Sequence, residues 1–203
     1  MAEARHGTPS GLGPALGRMA LRLAGWRLEG SLPNMPRYVL IVAPHTSNWD
    51  FPLGLAAKFA LGLQAQWLGK HSIFVGPAGV ILRALGGVAI DRSHPDGMVE
   101  ALVAQMKATP RFILVVAPEG TRRLTSGWKS GFYRIAVAAG VPILPVVFDW
   151  STRTIDLGQP FHPTGDASSD VLRLRARYRK EMARRPELFA DIHDGPPVRK
   201  LQP

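Results

Sequence analysis

Tyr38-Val39-Leu40-Ile41-Val42-Ala43-Pro44-His45-Thr46-Ser47-Asn48-Trp49-Asp50 is the stretch that decides the fold. Its first six residues are an unbroken apolar run, the pattern of a strand buried on both faces in a parallel sheet covered by helices. Pro44 closes the run, because proline has no N–H to give to a ladder. Residues 50–63 then predict a helix, with Asn48 or Asp50 near its start. A strand, a polar loop and a helix in this order are the beginning of a parallel crossover.

The alternation continues outward. Residues 66–68, 87–91 and 112–117 read as strands, the last being the clearest buried one. Residues 77–85 and 95–108 read as helices, as do 132–139, which Gly140 is suited to end. Residues 143–148 form a strand whose Pro145 predicts an edge or a bulge, and 153–157 alternate like an outer strand. Residues 170–185 predict a basic helix with Val171, Leu174 and Tyr178 inward. These features give an α/β class: a single domain with a mostly parallel central sheet flanked by helices. Residues 1–30 form an N-terminal region with an amphipathic helix over 14–28, residues 31–185 the domain proper, and residues 186–203 a loose tail. In the helix, Leu16, Met19, Ala20, Leu23 and Trp26 share one side. That side either covers the core or lies in a membrane interface with Trp26 at headgroup depth.

Composition narrows the function. The chain has 203 residues, 46% apolar and 20% charged, which suits one sizeable core. It has no cysteine, which excludes disulfides, thiolate metal sites and a cysteine nucleophile. Lys and Arg number 25 against 15 Asp and Glu, a formal charge of +10, so an anionic partner is expected. Nucleic acid is not that partner on this reading, since no helix-turn-helix, zinc finger or RNA-binding aromatic signature occurs. No apolar run reaches the roughly 20 residues of a membrane span, and the first residues do not read as a signal peptide.

In parallel sheets, chemistry gathers beyond the strand C-terminal ends. Three loops qualify, after Ala43, Asp91 and Ala117. The first holds His45 and Asp50, close enough for the carboxylate to orient the imidazole while its other nitrogen takes a proton from a hydroxyl. Read alone, such a pair also serves merely to cap a helix. There is no Gly-x-Ser-x-Gly elbow, so the nucleophile would be the substrate's own hydroxyl. The third loop, Pro118-Glu119-Gly120-Thr121-Arg122-Arg123, offers a tight turn at Gly120 and a guanidinium fork suited to phosphate. A plain surface loop with a salt bridge has the same composition. Arg92 leaves the second loop, and Lys70 is a fourth candidate cation.

Together these blocks resemble the 1-acylglycerol-3-phosphate acyltransferases, within the wider glycerolipid acyltransferases. The resemblance covers about residues 36–150. His45 and Asp50 match the His-x4-Asp block, residues 87–92 the Gly-containing strand ending in Arg, and residues 119–122 the Glu-Gly-Thr-Arg block. Val141-Pro142-Ile143-Leu144-Pro145 matches the apolar block with prolines.

The resemblance implies that His45 deprotonates an acceptor hydroxyl and that Asp50 orients it. The hydroxyl attacks an acyl thioester directly. Arg92, Glu119, Gly120, Thr121 and Arg122 hold the acceptor's phosphate or head group, with Lys70 assisting. Acyl-CoA or acyl carrier protein is the co-substrate, and no metal or redox cofactor is expected. Backbone amides at Thr46 or Ser47 are candidates for the oxyanion. The acceptor is a lysophospholipid such as 1-acylglycerol-3-phosphate, or alternatively a lyso-aminolipid such as a lyso-ornithine lipid. A non-catalytic lipid-binding role at the membrane surface is the rival from another class. The expected location is peripheral, on the anionic inner face of the cytoplasmic membrane.

Overall fold

The computed structural model describes residues 9–90, 95–125 and 127–190. Seven strands make one sheet: β1 (Arg27–Gly30), β2 (Arg37–Ala43), β3 (Gln66–Lys70), β4 (Gly87–Ile90), β5 (Phe112–Val116), β6 (Ile143–Asp149) and β7 (Thr154–Leu157), in the order β1-β7-β6-β2-β5-β3-β4. Every pairing is parallel except that of β6 with β7. β2 lies at the centre, with Ile41 opposite Val116 of β5 and Ala43 opposite Val147 of β6.

Alternate residues of β2 feed two cores, as the period-2 geometry of a strand requires. Val39 and Ile41 pack under α4 (Pro95–Ala108), α5 (Gly131–Ala139) and α6 (Ala167–Arg175). Tyr38 and Leu40 pack under α1 (Leu12–Leu23) and α2 (Asp50–Ala60). A short α3 (Gly76–Ala84) lies between β3 and β4. The result is a three-layer α/β/α domain.

Several elements differ from their sequence expectation. The N-terminal helix stops at Leu23, and Gly25, at φ +73°, turns the chain so that residues 27–30 join the sheet as β1. Trp26 is therefore core, edge-on to Trp150 at 4.8 Å, and not at a headgroup surface. Of the two readings of its apolar stripe, the core one does not hold, since α1 buries Gly17 and Leu21. Leu12, Leu16, Met19 and Leu23 stay outside, Leu23 with 82% of its surface accessible.

β6 is internal, because β7 and then β1 extend the sheet beyond it. Pro145 is tolerated there by a bulge in the partner. From Val146–Leu157 to Ile143–Phe161, β6 advances three residues and its neighbour four, and Gly158 N–H donates to the Pro145 carbonyl at 2.9 Å. β7 is likewise not outermost.

The basic helix begins earlier than expected and ends ten residues sooner, at Arg175. Asp166 caps it, accepting from the Ser168 and Ser169 amides at 3.1 Å each. Asp170 is buried, taking the Tyr133 hydroxyl at 2.7 Å. Val171, Leu174 and Tyr178 do point inward. Beyond the helix, residues 180–182 and 186–188 form single 3-10 turns, and Ala183 and Phe189 pack with Tyr178 and Val147. Among the described residues no helix is long and apolar enough to cross a membrane.

α1 crosses α2 in backbone contact. A Cβ on Gly17 would come within 2.3 Å of Ala60 N and 2.7 Å of Ala56 O. Replacing Gly17 by Val is expected to cost about 1–3 kcal/mol and to lower Tm by several degrees. Thermal unfolding checks this, and an unchanged Tm would place the crossing elsewhere.

Candidate active site

Four parallel strands, β2, β5, β3 and β4, end on one edge of the sheet, and β6 ends beside them. The loop after β2 begins with a cis Ala43–Pro44 bond. It carries His45 and delivers Asp50 as the first residue of α2, where the helix N-terminus favours a carboxylate. His45 Nδ1 stands 3.3 Å from Asp50 Oδ2. The imidazole keeps 21% of its side-chain surface accessible, whereas the Asp50 side chain keeps 1%.

Asp50 is held from three sides. Besides the imidazole, the Ser47 amide donates to Oδ2 at 2.8 Å and the Trp150 indole N–H to Oδ1 at 2.9 Å. Its orientation is set by the protein, so it can in turn set that of the ring. With Nδ1 against a carboxylate, the other ring nitrogen is the one that can take a proton.

The loop after β5 supplies the second carboxylate. Glu119 accepts the His45 backbone N–H on Oε2 at 2.8 Å and is buried, with 7% of its surface accessible. Burial pushes its carboxyl up to about 8, and the nearby Asp50 adds to this, while the His45 N–H and the Arg175 guanidinium pull the other way. Oε1 has no hydrogen-bond partner among the described residues. Glu119 is thus turned inward, braced against the histidine's own backbone and not presented to an acceptor as the sequence led us to expect.

Gly120, at φ +68°, reverses the chain. A Cβ there would lie 2.9 Å from Lys129 Cδ, so the glycine also makes room for that side chain. Thr121 Oγ1 accepts from the Arg123 amide at 3.3 Å. Arg122 emerges beside the histidine loop, and Thr46, Ser47, Asn48, Trp49, Arg122 and Arg185 line a depression of about 160 Å³.

The structure therefore brings together His45, Asp50, Glu119 and Arg122. Lys70 ends β3, two strands from β2, and does not line the depression. Arg92 lies outside the described residues. Of the two amides considered for an oxyanion, that of Ser47 is engaged by Asp50.

Sequence reading missed three residues. Trp150 follows β6, which is parallel to β2, so its loop leaves the same edge. Arg184 places its guanidinium over Trp150 at 4.4 Å and over Trp49 at 5.4 Å. Arg185 donates its amide to Thr46 Oγ1 at 3.2 Å. The first follows a strand that Pro145 left open between an edge and a bulge. The other two lie where a regular helix was expected.

Comparison with known proteins gives the same region. The family model described as Acyltransferase matches residues 30–149. The chain is 29% identical to the 1-acyl-sn-glycerol-3-phosphate acyltransferase of Escherichia coli over 59% of its own length and 50% of that protein's. The Salmonella typhimurium protein of the same name is 29% identical over 72% of this chain and 62% of its own. The chain thus spans about half to three-fifths of the length of these relatives. Among solved structures, the 1-acyl-sn-glycerophosphate acyltransferase PlsC of Thermotoga maritima shares the fold, with a TM-score of 0.55 at 24% identity over 79% of this chain and 71% of that one.

The raised Glu119 carboxyl has a consequence for stability. Its folded value, about 8, lies above its ordinary 4.5. Between these values the folded chain holds a proton that the unfolded chain releases, so this group's contribution is full at low pH and is lost as pH rises toward 8. Glu119→Gln keeps an acceptor for the His45 amide and removes the titration. Thermal unfolding at pH 5 and pH 8.5 is expected to show a larger fall for the unaltered protein than for the variant. Equal falls would mean that another group titrates.

Proposed function

The chain belongs to the Acyltransferase family, and from that premise we propose that it moves a fatty acyl group from a thioester to the free hydroxyl of a lysophospholipid of the 1-acylglycerol-3-phosphate type. The observation that carries the reading is the His45 Nδ1–Asp50 contact of 3.3 Å at the C-terminal edge of the sheet, with the imidazole accessible and the carboxylate buried.

In this reading the distal nitrogen of His45 takes the acceptor's proton as its oxygen attacks the thioester carbonyl. Asp50 stabilises the imidazolium. The carbon–sulfur bond then breaks, and the proton passes from His45 to the departing thiolate. No acyl-enzyme forms, and the chemistry draws on no metal or redox cofactor. General-base help is worth roughly 10²–10⁴-fold, and positioning of the two substrates supplies much of the rest. Arg122 contacts the acceptor's phosphate, with Lys70 and Arg92 as further cations. The Thr46 amide remains as an oxyanion donor. Acyl-CoA and acyl carrier protein both suit a chain of charge +10.

Peripheral attachment to an anionic membrane is supported by the outward stripe Leu12, Leu16, Met19 and Leu23, with Arg22 exposed on the same helix. An amphipathic helix of this kind lies in the interface plane, and near-surface cations add about 1 kcal/mol each on an anionic leaflet.

Two tests follow. His45→Ala is expected to lower transfer from palmitoyl-CoA or palmitoyl-carrier protein to lysophosphatidic acid by 100-fold or more with Tm unchanged. Retention of more than a tenth of the rate would remove the base assignment. Leu16→Gln with Leu23→Gln leaves Gly17 and Leu21 packed and is expected to weaken binding to anionic vesicles. Turnover on a soluble short-chain acceptor should stay within twofold. Undiminished sedimentation with vesicles would rule out α1 as the attachment.

A further inference from the structure

The depression beside His45 is lined by two arginines of different origin. Arg122 comes from the loop after β5. Arg185 comes from the segment after α6, beyond the residues that the family model matches. We propose that Arg185 and Arg122 form a two-armed clamp for a phosphate monoester, and that Arg185 sets the preference for a phosphate-bearing acceptor over a neutral one. This rests on the acyl-transfer reading for the acceptor's identity, though not for the presence of an anion site.

The backbone of Arg185 is fixed on every side. Its amide donates to Thr46 Oγ1 at 3.2 Å, and Thr46 is itself buried. Its carbonyl accepts the Leu188 amide at 3.0 Å. The residue before it, Arg184, is stacked on Trp150 and Trp49. Ala183 and Phe189 anchor the segment in a cluster with Ala43 and Val147. What is left free is the guanidinium, which borders the same depression as Arg122.

Among the described residues, no carboxylate pairs with either guanidinium. Two neighbouring cations without a counter-charge repel each other, and an anion between them relieves this. A phosphate monoester carries about −1.5 to −2 charges at pH 7, and its oxygens match the planar guanidinium fork.

Size narrows the ligand. The depression measures about 160 Å³. That suits a phosphate group and is well below the ~300 Å³ at which sites for whole organic ligands begin. Residues 46–49, which line the depression, are the loop that joins His45 to Asp50. In a glycerol 3-phosphate ester the free hydroxyl is only a few bonds from phosphorus. Coenzyme A also carries a phosphate monoester, on its ribose, so the test has to separate the two sources.

Binding is read first, by the thermal shift of the full chain with glycerol 3-phosphate and, separately, with adenosine 3′,5′-bisphosphate. Glycerol 3-phosphate should raise Tm of the unaltered protein, and Arg185→Ala should abolish the rise. Arg185→Lys should keep part of it. Arg179→Ala, which removes an exposed cation of the same segment, should keep all of it. No rise in the unaltered protein, or a full rise in Arg185→Ala, overturns the clamp. A rise with the bisphosphate alone moves the site to the donor and overturns the acceptor assignment.

Kinetics are read second. Arg185→Ala should raise KM for lysophosphatidic acid tenfold or more, with kcat within twofold and KM for acyl-CoA unchanged. Its rate on monoacylglycerol, which lacks the phosphate, should match that of the unaltered protein. An unchanged KM for lysophosphatidic acid overturns the specificity role. Absence of transfer with every acceptor in the unaltered protein defeats the acyl-transfer reading, while the thermal shift still decides the clamp.

Discussion

Asp50 is a carboxylate withdrawn from water, and a carboxylate in that position has to be met by donors. The groups that meet it come from two parts of the chain. The Ser47 amide and the His45 ring belong to the loop after β2, and the Trp150 indole comes from 100 residues further on. The Ser47 amide meets the carboxylate at the start of α2, and the Trp150 indole meets it from the end of β6. The demand for a partner therefore ties the middle of the sheet to the start of the helix. The orientation of the imidazole follows from it.

A second buried carboxylate, Glu119, reaches the same loop through the backbone of His45 and not through its ring. The two acidic groups thus divide the work of holding one histidine. The left-handed turn at Gly120 then separates the inward Glu119 from the outward Arg122. A four-residue block that looks like one cluster of polar ligands in the sequence is, in space, a brace on one side and a cation on the other.

Much of the architecture was legible because apolar runs bounded by polar loops leave few alternatives. β2, β5 and α4 lie where periodicity puts them, and Gly140 ends α5 in the left-handed conformation. Of the expected site residues, His45, Asp50, Glu119 and Arg122 come together, with Gly120 and Thr121 in the loop that carries the last two. The misplacements share a cause, which is that single residues were read by their usual company. Pro145 suggested an edge or a bulge; the strand is internal, its carbonyl still pairs, and the bulge lies in the neighbouring chain segment. Leu16, Met19 and Leu23 read equally as a core face or a membrane face, and the crossing of α1 over α2 is set by Gly17, which has no side chain to announce it. Arg184 and Arg185 looked like the solvated side of a basic helix. Only the tertiary contacts of Trp49, Trp150 and Thr46 separate them from the other arginines nearby.

The contact between Thr46 and Arg185 joins residues 139 positions apart. At ~5–20 residues added per second, the ribosome needs about 7–28 s to go from one to the other. During that interval the histidine loop is already synthesised while Trp150 and then the arginine segment are still to come. The nascent chain consequently cannot display a finished reaction centre to the thioesters around it. Completion of the site waits for residue 185 to be translated.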